Sequence, residues 1–142
     1  MIQYLLIQAG GCQYGLAAHQ VLLVADGFEL YPTPSAHPAV RGVTPVRDRL
    51  VPLVDLARLL RDSAAAATDG ETVVLVQAGD TLIALQVDDA HEVVSGILSP
   101  VPNAWRLPWA SGVDERGDAL VPILDMELLA ERLVPATARG RE

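Results

Sequence analysis

Short apolar runs, bounded by glycine and aspartate, open each half of the chain. The segments "QYLLIQA" (3–9) and "TVVLVQA" (72–78) are rich in residues that favour β-strands. After a brief turn, each is followed by a second apolar run, "QYGLAA" (13–18) or "TLIALQVD" (81–88). The pattern therefore predicts that each half begins with a β-hairpin.

A third apolar run and a proline-rich crossing follow in each half. Third strands are predicted in "QVLLVA" (20–25) and "HEVVSGIL" (91–98), entered through a helical turn near His19 or Ala90. The crossings are "YPTPSAHP" (31–38) and "SPVPNAWRLP" (99–108). Because proline has no N–H to give to a strand ladder, both crossings are predicted to be loops or sheet edges.

Each half ends in a predicted hairpin that runs into a helix. In "RGVTPVRDRLVPLVDL" (41–56) the turn is expected at 47–48, and in "SGVDERGDALVPILDM" (111–126) at 116–118. Asp55 and Asp125 then stand where a helix N-cap is needed, an interaction worth about 1 kcal/mol each. Apolar residues follow at helical spacing: Leu56, Leu59 and Leu60 in the first half, and Met126, Leu129 and Leu133 in the second.

These parallels indicate a duplicated unit. Landmarks recur in the same order at an offset of 69 or 70 positions: Gly42-Val43 as Gly112-Val113, Pro52 as Pro122, Asp55 as Asp125 and Leu59 as Leu129. A unit of this length is too long for common solenoid repeats, and two copies are too few for an array. We predict a duplicated small β-barrel with pseudo-twofold symmetry, with subdomain 1 at about residues 1–66 and subdomain 2 at about 67–142. Strands could be exchanged between them, and 61–71 is the expected hinge.

Composition and charge narrow the class of protein. The 142 residues are 51% hydrophobic and hold 18 acidic against 10 basic residues, a formal charge of −8 with no lysine. Such a surface repels phosphate backbones and anionic lipid, which argues against nucleic-acid binding. The N-terminus lacks the features of a secretory signal, and no apolar run is long enough to cross a bilayer. We expect a cytoplasmic protein without membrane insertion.

The paired aspartates do not predict catalysis. An aspartic protease dyad needs Ser or Thr and then Gly after each aspartate, whereas Leu-Ala follows Asp55 and Met-Glu follows Asp125. Cys12, the single cysteine, has no identified base partner and can form no internal disulfide. The segments "QAGGCQYG" and "VDERGDA" match neither the phosphate loop nor the dinucleotide fingerprint and are interpreted as turns. We therefore expect no enzyme and no cofactor.

Metal binding is the weaker interpretation of the remaining polar residues. The three histidines, which lack metal-like spacing, are expected to be surface or loop residues: His19, His37 and His91. Asp88, Asp89 and Glu92 could hold a divalent ion, but a solvated acidic rim is the favoured interpretation. No metal site is predicted.

The only two tryptophans lie close together in "NAWRLPWASG". The favoured interpretation is that Trp105 and Trp109 plug the open end of the second barrel. The alternative is contact with a partner, because tryptophan is enriched among interface anchors.

With the repeat laid out, the chain resembles the CheW family of chemosensory adaptors over residues from Tyr4 to about Leu133. "VRGVTPVRDRLVPLVDL" is similar to the family pattern V-x-G-V, an Arg-Gly turn and a V-P-V-x-D-L strand end. "QYGLAAHQVLLV" resembles the family's Y-x-(apolar) strand with its valine turn. "IALQVDDAHEVV" is similar to the G-(apolar)-x-V-D-x-V-x-x-V segment, with Ala84 in place of the glycine.

The resemblance implies a mainly β fold of two intertwined, pseudo-symmetric five-stranded SH3-like barrels, each followed by a short helix. It also implies a non-catalytic adaptor that couples the cytoplasmic tips of chemoreceptors to the regulatory domain of a CheA-type histidine kinase. The receptor tip would lie in a groove where Val21 and Arg47 match family positions, with Leu23 and Val43 nearby. The kinase contact would fall on the second barrel, and the protein would sit at membrane-associated receptor arrays.

Two departures lie at the expected receptor contact. Asp48 replaces the family glycine after the arginine, and Pro45 replaces a polar residue before it. The alternative hypothesis is therefore a CheW-like interaction module of another assembly that has lost receptor or kinase binding. A small-molecule-binding or catalytic β-protein is the third.

Overall fold

The computed structural model describes residues 1–34, 37–61, 68 and 70–133, and the chain is mainly β. The described part contains ten strands: β1 (Ile2–Ala9), β2 (Cys12–Ala17), β3 (Val21–Asp26), β4 (Val40–Val46), β5 (Arg49–Asp55), β6 (Thr72–Ala78), β7 (Thr81–Val87), β8 (Asp89–Gly96), β9 (Ala110–Arg116) and β10 (Ala119–Leu124). Two helices follow β5 and β10, namely α1 (Leu56–Arg61) and α2 (Met126–Leu133). Two single 3₁₀ turns lie at Ala18–Gln20 and Asn103–Trp105.

The strands form two five-stranded sheets, and each sheet combines strands from both halves of the chain. The first sheet has the order β8-β1-β2-β10-β9, and the second has the order β3-β6-β7-β5-β4. The opening hairpin of each half thus pairs with the last three strands of the other half. The parallel contacts, β10 with β2 and β5 with β7, are equivalent in the two sheets.

The ten strands and the two sheets confirm the expected fold class. Closure of each sheet into a barrel stays a prediction, since the ladders of the described strands run in a line from one edge strand to the other. The hairpin turns between β4 and β5 and between β9 and β10 are confirmed at their expected places. A 3₁₀ turn does precede β3 at His19, whereas Ala90 lies inside β8, so the expectation of a turn there is wrong. Most of the expected hinge, at 62–67 and 69, lies outside the described residues.

The main core lies between the two sheets. It gathers the inward faces of the two opening hairpins together with the apolar faces of both helices. The other face of each sheet holds a smaller cluster, around Leu53 and Leu75 in the second sheet and around Tyr4 and Ile123 in the first. Central strands are therefore buried on both faces, which is why runs such as "VVLV" are continuously apolar rather than alternating.

The spacing of the apolar residues in each helix determines which face packs against the core. Leu56, Leu59 and Leu60 are buried in α1, as are Met126 and Leu129 in α2. Neither helix is long and apolar enough to cross a membrane, and the described residues contain no other α-helix.

Candidate partner-binding groove

The strand β3 lies at the edge of the second sheet and presents apolar side chains in two directions. Burial alternates along the strand, so Val21, Leu23 and Ala25 are half-buried while Leu22 and Val24 are exposed. A register shift separates Val21 from Leu23, and the two side chains pack against different apolar clusters. Leu22 is 52% exposed. A large apolar side chain that is this exposed on a sheet edge indicates a contact surface for a partner when other exposed apolar side chains lie beside it.

The β4–β5 turn supplies the charge beside this edge. Arg47 has a left-handed backbone, with φ of 58°, and its side chain is exposed, as are those of Asp48 and Arg49. Gly117 occupies the equivalent turn in the other half with φ of 60°. The β4–β5 turn thus has an arginine at the left-handed position where the equivalent β9–β10 turn has a glycine.

A depression of about 410 Å³ lies between β3 and this turn, and it is called here the receptor-side groove after the partner predicted for it from the sequence. Its walls combine apolar side chains with the three charged residues of the turn: Leu22, Leu23, Val46, Arg47, Asp48, Arg49, Val51, Leu75, Gln77 and Leu82. Leu23 and Arg47, two of the residues chosen from the sequence, therefore line the same surface.

The other two residues chosen from the sequence lie elsewhere. Val21 is half-buried against the main core between the sheets. Val43 is half-buried in β4, where its backbone exchanges hydrogen bonds of 2.9 and 3.0 Å with Tyr31. Neither side chain lines the receptor-side groove, so the structure brings together two of the four residues chosen from the sequence.

A second depression of about 330 Å³ adjoins the first. The two share Leu23, Val46 and Leu75 as lining residues. Pro45 lines the second depression, whereas Asp48 lines the first. Both departures from the family pattern thus face the surface that is proposed to bind a partner.

Sequence reasoning missed most of the groove's apolar lining. Leu22 was hidden because β3 reads as the continuous run "VLLVA", in which the outward-facing positions cannot be told from inward ones. Leu75 and Leu82 come from the hairpin of the other half, and only the exchange of strands brings them to β3 and the β4–β5 turn.

The two tryptophans have separate environments. Trp109 is 7% exposed and packs edge to face on Tyr14, with ring centroids 5.7 Å apart and an interplanar angle of 74°. It belongs to the main core between the sheets, and only a small part of its surface is exposed. Trp105, in the 3₁₀ turn, is 42% exposed.

The aspartates before the helices make capping contacts. Asp125 Oδ1 accepts a hydrogen bond of 3.1 Å from the backbone N–H of Leu128. Asp55 is buried, and its Oδ1 accepts bonds from the Arg58 N–H at 3.3 Å and from the Thr68 hydroxyl at 2.7 Å. Its Oδ2 accepts a bond from the Thr68 N–H at 3.2 Å.

The described residues include no group of three or more His, Cys, Asp or Glu side chains that could hold a metal ion. His91 lies 3.8 Å from the Asp89 carboxylate, and His37 Nδ1 accepts the Ala39 N–H. Cys12 is exposed, and Arg61 Nη2 donates to its Sγ at 2.8 Å.

A buried polar pair that the sequence did not reveal lies inside the first sheet. The hydroxyl of Tyr4 donates to Asp114 Oδ2 at 2.7 Å, and Asp114 Oδ1 accepts the backbone N–H of Ile97 at 3.1 Å. Burial, together with the hydrogen bond to Asp114, raises the pKa of Tyr4 to about 12. The equivalent position in the second sheet is Thr44, also buried, so the two sheets differ at this point.

Comparisons with known proteins agree with the fold described above. The model of the CheW-like domain matches residues 3–134, nearly the whole chain. The fold is similar to that of the scaffolding protein TtCheW from Thermoanaerobacter tengcongensis, with a TM-score of 0.77 and 19% sequence identity. That match covers 90% of this chain and 91% of the other. A comparison with curated proteins finds no match.

Proposed function

The chain belongs to the CheW-like family of scaffold proteins, and we propose that it is a non-catalytic adaptor between chemoreceptors and a CheA-type histidine kinase. It would act in the bacterial cytoplasm, at membrane-associated receptor arrays, in a flagellar or pilus-type pathway. The observation that carries the receptor half of this proposal is the receptor-side groove, where exposed Leu22, half-buried Leu23 and Arg47 lie together.

The groove has the features that a helical partner needs. Apolar anchors at the edge of a strand provide affinity for the apolar face of an amphipathic helix, and one flanking cation fixes its register. Arg47 and Arg49 flank a single Asp48, so the turn is locally positive in a chain whose net charge is −8. An acidic residue on the incoming helix would complement it.

The kinase contact is proposed for the second half of the chain, with Trp105 as an anchor. Trp105 is the tryptophan that is exposed, and tryptophan at an interface contributes large binding energy when desolvated. Trp109 supports this surface from within the core.

One specific observation favours the alternative, a CheW-like module that serves another assembly. Pro45 and Asp48 both line the surface proposed to meet the receptor. Pro45 stiffens the approach to the turn, and Asp48 would repel an acidic partner residue.

The test is reconstitution of receptor-bearing membranes with the kinase, measuring co-sedimentation of this protein and kinase autophosphorylation with and without it. Retention by both partners at about micromolar concentration supports the adaptor. If the membranes and the kinase each fail to retain it, the adaptor proposal is wrong and the alternative stands.

Variants of the groove locate the receptor contact. Arg47→Glu should reduce receptor co-sedimentation about tenfold or more, because it reverses the charge at the groove. Leu22→Ser should also reduce it, while Arg132→Glu, a reversal on the exposed face of α2, serves as the matched control. Retention of Arg47→Glu equal to that of the control would refute the placement of the receptor at this groove.

A further inference from the structure

A cavity of about 550 Å³ lies away from the receptor-side groove, where β2, α1, β10 and the 3₁₀ turn of the second crossing meet. It is called here the tryptophan pocket. Its lining is Cys12, Gln13, Tyr14, Leu60, Arg61, Trp105, Arg106, Leu107, Trp109, Ala119, Leu120 and Pro122. This volume and this mixture of aromatic and aliphatic walls are typical of sites for small organic molecules.

The walls are rigid on one side and open on the other. Trp109 and Tyr14 are buried and held edge to face, whereas Trp105 is partly exposed at the mouth. Trp105 is followed by Arg106, which has a left-handed backbone with φ of 50°. For a residue other than glycine this conformation is unfavourable, so the turn that presents Trp105 is held in place at an energetic cost.

The charge of the pocket is opposite to that of the chain. Its two charged lining residues, Arg61 and Arg106, are both cations, although the chain carries 18 acidic and 10 basic residues. By contrast, the receptor-side groove includes Asp48, and the depression beside it includes Glu29.

Hydrogen bonds hold the guanidinium of Arg61 at the wall of the pocket. Its Nη2 donates to the carbonyl of Gly10 at 3.0 Å and to Cys12 Sγ at 2.8 Å. Cys12 raises the pKa of the guanidinium further above its already high ordinary value, so Arg61 carries its positive charge at neutral pH. A fixed planar cation beside aromatic walls is suited to a carboxylate attached to an apolar body.

The two halves have diverged at these positions. At the same offsets that relate the repeats, Arg61 corresponds to Glu131, Cys12 to Thr81 and Trp109 to Ala39. The symmetry-related positions therefore lack the cation, the thiol and the large aromatic side chain. The pocket takes its lining from both halves of the chain, and the duplication alone does not account for these three residues.

We propose that the tryptophan pocket is a binding site for a small aromatic carboxylate, with Tyr14, Trp105 and Trp109 contacting the ring and Arg61 pairing with the carboxylate. The ligand would bind to the adaptor itself, at a surface that is separate from the receptor-side groove but shares Trp105 with the proposed kinase contact.

The chain's only two tryptophans both line the pocket, so intrinsic fluorescence reports its occupancy directly. The probe is phenylbutyrate, and its neutral isostere phenylbutyramide is the matched ligand control. We expect saturable binding of phenylbutyrate with a Kd of about 1 mM or tighter, at least about tenfold stronger than that of the amide. Saturation with phenylbutyrate should also slow alkylation of Cys12 by iodoacetamide.

Variants assign the charge preference to one side chain. Arg61→Gln should bind the acid and the amide equally, whereas Arg61→Lys should keep a preference for the acid. Arg132→Gln, a neutralised arginine outside the pocket, should behave like the unchanged protein. Circular dichroism and the Tm of each variant establish that it is folded.

The proposal is overturned if the acid and the amide bind the unchanged protein equally, or if Arg61→Gln retains the preference in a folded state. It is also overturned if no saturable fluorescence change occurs at several times the expected Kd. These titrations need neither receptor nor kinase, so their failure leaves the adaptor function standing.

Discussion

Arg47 occupies a backbone conformation that suits glycine better than arginine. Its φ of 58° is almost that of Gly117 at the equivalent turn, where no side chain opposes it. The left-handed region costs an L-residue roughly 1–2 kcal/mol. Among the described residues, the exposed guanidinium of Arg47 makes no hydrogen bond and no ion pair. We therefore expect this side chain to contribute to partner binding rather than to the stability of the fold.

We predict that Arg47→Gly separates stability from binding. Relief of the strain is partly offset by the larger entropy of an unfolded glycine, so the free energy of unfolding should be unchanged or higher by up to about 1 kcal/mol. Receptor co-sedimentation should fall, since the cation is gone. Urea unfolding measures the first effect, with Asp48→Gly as a control that gains nothing. A destabilised Arg47→Gly variant would show that the side chain supports the fold.

Tyr4 makes stability depend on alkaline pH. Its pKa is raised from 10.0 to about 12, first by burial and then by the hydrogen bond to Asp114. Because the folded state holds this proton more tightly than the unfolded state, the stabilisation is complete below pH 10 and is lost as pH rises toward 12.

We therefore predict that Tyr4→Phe lowers stability at neutral pH by about 1–3 kcal/mol, because Asp114 loses a buried donor. The variant should also lose less stability than the unchanged protein between pH 10 and 12. Tm values across this range measure both effects, and Tyr31→Phe, at an exposed tyrosine, should keep most of the dependence. Parallel curves for Tyr4→Phe and the unchanged protein would contradict the role given to Tyr4.

At the scale of the element, the two strand-to-helix joints are equivalent in the repeat, but the aspartate of the first joint makes more hydrogen bonds than that of the second. In each, the backbone N–H of the aspartate donates to an equivalent carbonyl, Asp55 to Ala39 and Asp125 to Trp109. The Asp125 carboxylate caps only α2 among the described residues, through Leu128. The Asp55 carboxylate additionally accepts two bonds from Thr68 and is buried.

We predict that the same substitution has unequal effects at the two joints. Asp125→Ala removes one N-cap and should lower the free energy of unfolding by about 1 kcal/mol. Asp55→Ala also leaves buried donors of Thr68 without their acceptor and should cost about 2–4 kcal/mol. Urea unfolding of the two variants, each the control for the other, decides this. Equal losses would mean that the bonds to Thr68 add nothing to stability.

At the scale of the whole molecule, the exchange of strands makes the two halves interdependent. The first sheet needs β1 and β2 from one half and β8, β9 and β10 from the other, and the second sheet is built in the reciprocal way. The main core between the sheets likewise takes residues from both halves. Each half therefore buries part of its apolar surface only against the other half.

We predict that fragments 1–66 and 67–142 are unfolded separately and fold when mixed. The first carries five acidic and five basic residues, so it is neutral and does not repel the acidic second fragment. Circular dichroism and amide NMR of each fragment and of the equimolar mixture provide the measurement. A cooperative unfolding transition in either fragment alone would contradict the interdependence.

The sequence by itself determined the elements and their order. Local chemistry is sufficient for this, because runs of strand formers, the turn at 47–48, the aspartates before each helix and the apolar spacing of Leu56, Leu59 and Leu60 all act within a few residues. The resemblance to one family followed from the same short motifs, and the family is shown over residues 3–134.

Only the tertiary structure decided which strands pair and which side chains share a surface. Strand β3 pairs with β6 of the other half rather than with its neighbours in sequence, and this pairing depends on burial between distant segments. The repeated pattern cannot predict it, because both copies present equivalent strand edges. The exchange of strands brought Leu75 and Leu82 to Arg47 and Trp109 to Tyr14, whereas Val21 and Val43 lie outside the groove. The surfaces that could bind a partner or a ligand are products of those contacts between distant segments.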